Sequence, residues 1–163
     1  MKRNTLILLI ASILVWTQCQ NQPKSTEQAA VEPETIAYDS LTAQKWGADE
    51  YGMKPYVMAF LKAGPNRDQD SLAAAQLQEA HMANINRMAE EGKLILAGPF
   101  LDDGDIRGIY IFDVRTVEEA KALTETDPAI QAGRLVMELH PWYGSAAMME
   151  LNQLHKKGAK KEI

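Results

Sequence analysis

The chain has a single cysteine and three widely separated histidines (81, 140 and 155) in 163 residues. It can therefore form no internal disulfide, and it offers none of the closely spaced ligand pairs of a structural zinc site, so no metal is expected. A Gly-rich phosphate loop of either common spacing is missing, which leaves ATP and dinucleotide chemistry without support. Positive charge is in deficit: 17 Lys and Arg against 22 Asp and Glu give a net charge of −5, the wrong sign for a nucleic-acid surface. No apolar run reaches the ~20 residues of a permanent membrane span. What remains is 46% hydrophobic and 24% charged, the composition of an ordinary globular chain sized for about one domain.

The apolar residues are unevenly spread. Residues 6–16 form one unbroken run from Leu6 to Trp16 behind Lys2 and Arg3, the basic-then-apolar pattern of an export signal. Cys19 follows directly, as in a bacterial lipoprotein signal whose new N-terminal cysteine is lipidated and tethers the chain to a membrane. Gln18 departs from the small residue usual before that cysteine, so cleavage by an ordinary signal peptidase, or retention as an anchor, stays open. The expected organisation is signal 1–18, tether 19–53, domain 54–143 and tail 144–163. The tether is rich in Gln, Pro, Ser, Thr, Glu and Ala and reads as solvated chain, with Ile36, Tyr38, Leu41, Trp46 and Tyr51 either incidental or packed on the domain.

From Lys54 the pattern changes. Pro55–Leu61 is an apolar run of strand length, and Asp68–Gly92 reads as a helix with Ser71 as N-cap and Gly92 as its stop. Leu94–Ala97 and Ile106–Val114 read as strands joined by Asp102-Asp-Gly-Asp105, which is turn chemistry rather than a calcium loop, since the bidentate Glu is missing. Thr116-Val-Glu-Glu119 is a capping box opening a second helix that Asp127-Pro128 ends, and Arg134–His140 is a last strand. The order β-α-β-β-α-β defines an α+β, ferredoxin-like fold.

Both alternating faces of Val57–Leu61 and Ile109–Phe112 are apolar, yet two helices cover only one face of a sheet. The other face needs a second layer. A second copy packed sheet to sheet, as in a dimeric α+β barrel, supplies it economically, and the tether or the tail after Gly144 is the alternative within one chain.

At about 100° per residue, Leu77, His81, Asn84 and Met88 share one face of the first helix. A sheet-facing histidine needs a partner, because an unsatisfied buried polar group costs about 1–3 kcal/mol. Asp127 suits topologically, since both helices lie on the same sheet face. A carboxylate on one imidazole nitrogen fixes the tautomer and leaves the other free to take or give a proton. On spacing alone the pair reads equally as a satisfied core histidine and an aspartate capping a turn.

Phe60-Leu-Lys-Ala-Gly-Pro65, Gln78-Glu-Ala-His81, Gly92-Lys-Leu-Ile-Leu-Ala-Gly-Pro99, Gly108-Ile-Tyr-Ile-Phe112, Asp127-Pro-Ala-Ile130 and His140-Pro-Trp142, in this order, resemble the YciI-like (YCII-related) domain family. The resemblance implies a ferredoxin-like homodimer of the dimeric α+β barrel group and a candidate active site built on a His–Asp pair, which maps onto His81 and Asp127. It also implies enzymatic work without metal or organic cofactor, with some members linked to breakdown of substituted aromatics. The leader and tether depart from the family's usual compact cytoplasmic form.

Beyond the pair, Gly98-Pro99 ends a strand where backbone can approach a ligand, Arg67 can clamp an anionic substrate and Tyr110 can line the cleft. His140 reads as a rim residue and His155 as part of a solvated, lysine-rich tail. The expected protein is an exported, membrane-anchored homodimer that eliminates or isomerises a small aromatic or lactone-like molecule through His81 and Asp127. A non-catalytic ligand-binding or assembly module of the envelope is the competing expectation.

Overall fold

The computed structural model describes residues 36–161. The expected export signal and the lipid site at Cys19 lie outside the described residues. Among those described, no helix is long and apolar enough to cross a membrane.

Among the described residues ten elements follow one another: α1 (Ser40–Trp46), β1 (Met53–Ala63), α2 (Ser71–Glu90), β2 (Leu94–Pro99), β3 (Ile106–Phe112), α3 (Val117–Thr124), α4 (Pro128–Gln131), β4 (Leu135–Ser145), a 3₁₀ turn (Ala146–Glu150) and α5 (Leu151–Gly158). The strands form one antiparallel sheet in the order β2-β3-β1-β4. This is the expected β-α-β-β-α-β fold. Local chemistry sets most boundaries. Asp70 rather than Ser71 caps α2, its carboxylate accepting from the Ala73 N–H at 2.8 Å, and Gly92 stops the helix at φ +69°. Thr116 caps α3 by accepting from Glu119 N at 3.1 Å. The second helix ends at Thr124, before the Asp127-Pro128 step as expected, and Asp127 caps a further short helix, α4.

The core lies between the sheet and α2 and α3: Val57, Ala59, Leu61, Leu94, Tyr110 and Phe112 meet Met88 and Ala120, with Ile85 and Leu123 at the margin. Each fully buried large apolar side chain stabilises the fold by about 1.5–3 kcal/mol. β4 continues past Pro141 to Ser145, where the sequence suggested that pairing would end. As an edge strand it tolerates a residue without an N–H.

On the opposite, outer face the segment after Gly144 supplies part of the second layer, which is the within-chain alternative that the sequence left open. Tyr56, Ile95 and Ile111 are covered by Met148, Met149 and Leu151, and Asn152 Nδ2 donates to Leu94 O at 2.9 Å. A bulge between Leu94 and Leu96 sets Ile95 and Leu96 together opposite Ile111, which enlarges the apolar patch that this segment covers. The tether also contains structure. Trp46 at the end of α1 donates its indole N–H to Glu150 Oε1 at 2.8 Å, and Lys45 pairs with the same carboxylate. Ile36, Tyr38, Leu41 and Tyr51 stay exposed. The other end of the outer face, around half-buried Phe60 and Ile109 and exposed Val136, receives no such cover from the C-terminal segment.

Candidate active site

Histidine enters the core on the α2 stripe that the spacing marked: His81, Asn84 and Met88 are its buried residues. His81 is 7% exposed and Asp127, at the start of α4, is 0% exposed. His81 Nδ1 lies 2.6 Å from Asp127 Oδ2. The other oxygen, Oδ1, accepts from the Ala129 N–H at 2.8 Å. One carboxylate thus caps a helix and orients an imidazole. A second link between the helices holds the spacing: Arg87 on α2 donates to Asn84 Oδ1 at 2.8 Å and to Thr126 Oγ1 at 3.0 Å, one residue before Asp127.

On the far side of the ring, Tyr110 OH lies 3.3 Å from His81 Nε2, with the two rings stacked at 6.3 Å between centroids. Tyr110 is 2% exposed. Burial, and secondarily the negative charge of Asp127, push its phenol well above the usual range, so it stays protonated. With the carboxylate accepting from Nδ1–H, the Nε2 lone pair is left for the phenol or for a substrate.

These groups form part of the wall of a cavity of about 510 Å³, within the range of small-molecule sites. His81, Tyr110, Gly98, Pro99 and Arg67 all line it, whereas Asp127 is behind the imidazole. Two close backbone approaches shape the wall. A Cβ on Gly108 would sit 2.7 Å from Gly98 O, so only glycine lets β3 close against the end of β2. A Cβ on Gly64 would sit 2.1 Å from Gly133 O, and this contact brings the loop carrying Arg67 against the start of β4.

His140 lies elsewhere, exposed on the outer face, edge-on to Phe60 and 2.8 Å from Glu138 Oε1. His155 is on α5, with no part in the cavity. Sequence reasoning missed Arg107 and Arg134, which also line the cavity. Their signal was positional: each stands at the beginning of a strand, at the sheet end where Gly98-Pro99 finishes another.

Fold and geometry together define a small ferredoxin-like α+β domain with a buried histidine–carboxylate pair beside a cleft. The sequence profile of the YCII-related domain matches residues 56–143, more than half of the chain. The chain belongs to the YCII-related domain family. Among solved structures it is similar to 5-chloro-2-hydroxyhydroquinone dehydrochlorinase (TftG) from Burkholderia phenoliruptrix AC1100, in complex with 2,5-dihydroxybenzoquinone, at 20% identity and a TM-score of 0.40, covering 53% of this chain and 92% of that one. No curated protein matches.

Proposed function

We propose that the protein is an acid–base enzyme, working without metal or organic cofactor, that removes a proton from a small organic molecule and completes an elimination or an isomerisation. The reading is carried by one observation: Asp127 Oδ2, the His81 ring and Tyr110 OH stand in line, at 2.6 and 3.3 Å, at the wall of a cavity of small-molecule size.

The chemistry follows from the order of the groups. Asp127 accepts from Nδ1–H, so Nε2 carries the lone pair and acts as base. When Nε2 takes a proton from the substrate, the buried carboxylate stabilises the imidazolium that forms. Tyr110 remains a neutral donor, free to turn its O–H from Nε2 to an oxygen on which charge develops. The imidazolium then returns the proton, either to a departing group or to a second carbon. One acid–base group contributes about 10²–10⁴-fold, which suits an activated C–H and not a peptide or phosphodiester bond. Incubation of candidate carbonyl and phenolic compounds in D₂O tests this: the wild type introduces deuterium at the abstracted position, and His81→Asn does not.

The proposal extends to assembly and location. A second copy covers the remaining end of the outer face, and the support is the apolar character of Phe60, Ile109 and Val136 there. Light scattering on the protein freed of residues 1–19 should give twice the chain mass, and a monomer ends this part of the proposal. Export to a bacterial envelope and lipid attachment at Cys19 rest on the run at 6–16 and the lone cysteine behind it. Labelled palmitate should enter the wild type and be lost in Cys19→Ser.

A further inference from the structure

The cavity beside His81 carries more positive charge than acid–base chemistry uses. Arg67, Arg107 and Arg134 all line it, and among the described lining residues none is Asp or Glu. In a chain with 22 acids and 17 bases this is a local reversal of sign. Nor are these cations neutralised from behind: among the described residues, none of the three guanidinium groups is ion-paired with a carboxylate. Each makes a bond to a neutral oxygen instead. Arg67 Nη1 donates to Arg134 O at 3.3 Å, Arg107 Nη1 to Gly104 O at 3.3 Å and Arg134 Nη1 to Gln69 Oε1 at 2.8 Å. A guanidinium has five N–H donors, so single bonds of this kind leave most of them open. Arg87, on α2 but away from the cavity lining, is by contrast paired with Glu91.

Topology explains the convergence. β1 runs antiparallel to both β3 and β4, so the end of β1 meets the beginnings of the other two. Arg67 follows β1, Arg107 is the second residue of β3, and Arg134 immediately precedes β4. Of the acids near these arginines in sequence, Asp70 caps α2 and Asp102 accepts from the Gly104 N–H within its own turn, while Asp68, Asp103 and Asp105 form no ion pair with any of the three.

Resting on the acid–base reading of the same cavity, we propose that the substrate is a small carboxylic acid, held through its carboxylate by these arginines with its apolar body against Leu61, Met82, Ile85 and Leu135. The planar guanidinium fork matches a carboxylate and forms charge-assisted bonds about twice as strong as neutral ones. The mostly apolar remainder of the wall fits an organic body better than a bare inorganic anion. The carboxylate arrives at the sheet end and directs the body inward toward His81.

Benzoate and its neutral isostere benzamide provide the test. Calorimetry measures affinity, and the ¹³C-methyl signal of Met82 reports whether the probe enters the cavity. Benzoate should bind about tenfold or more tightly than benzamide, and the preference should shrink with added salt. The double variant Arg107→Gln/Arg134→Gln should bring benzoate down to the level of benzamide and leave benzamide unchanged, with the melting temperature recorded for each protein. Equal affinities, no benzoate binding, or a benzoate affinity unmoved in the double variant overturns the proposal. His81→Asn separates this proposal from the one beneath it. If that variant keeps both turnover and the benzoate preference, the acid–base reading fails and the arginine site stands. If it loses turnover while the wild type shows no charge preference, the acid–base reading stands and the arginine site fails.

Discussion

His81→Asn leaves a folded protein whose turnover, on any substrate that the wild type converts, falls by about 10²–10⁴-fold. Asparagine is the informative replacement because its amide N–H₂ occupies roughly the position of the imidazole Nδ1 and can still donate to Asp127. It supplies no group at the position of Nε2. His81→Ala should be as inactive but also less stable, by about 1–3 kcal/mol, since it leaves the fully buried Asp127 with one oxygen unpartnered. Paired urea melts and rate measurements on the two variants distinguish the roles. Equal loss of activity with unequal loss of stability marks a catalytic histidine. A pair that only holds the core together gives the opposite: stability lost in proportion to the bonds removed, and turnover retained by His81→Asn.

Asp127 makes two bonds, so its variants should divide in a different way. In Asp127→Asn the amide oxygen can go on accepting from Ala129 N, which turns the N–H₂ toward His81 Nδ1. Nδ1 then has to be the unprotonated nitrogen, and the proton moves to Nε2. The base is lost without any atom leaving the cavity, and turnover should fall by about 10²–10⁴-fold. Stability should change little by comparison. Asp127→Ala removes the cap of α4, worth about 1 kcal/mol, and leaves the buried Nδ1–H unsatisfied at a further ~1–3 kcal/mol. Its urea midpoint should therefore drop well below that of Asp127→Asn. Retained turnover in Asp127→Asn would show that the carboxylate is not needed to set the tautomer.

Much of the fold was legible because short-range chemistry dictated it. The capping box at Thr116, the glycine stop at Gly92 and the helical spacing of His81, Asn84 and Met88 are visible in one dimension. Asp127 was legible as a helix boundary and only half legible as a partner, since its second bond spans 46 positions of sequence. The C-terminal segment was legible only as an alternative cover for the outer face, because Met148, Met149 and Leu151 form no repeating pattern and their burial depends on the shape of that face. Arg107 and Arg134 escaped for a related reason. A strand-initial arginine is common at a protein surface, and only the antiparallel arrangement of β1, β3 and β4 brings these two to one mouth beside Arg67.

The clasp at Glu150 has a consequence for how this domain can be attached to anything. Its carboxylate joins Trp46 and Lys45, at the end of α1, to the segment that covers the outer face. The chain that enters the domain is thus held to the outer layer, on the opposite side of the sheet from His81.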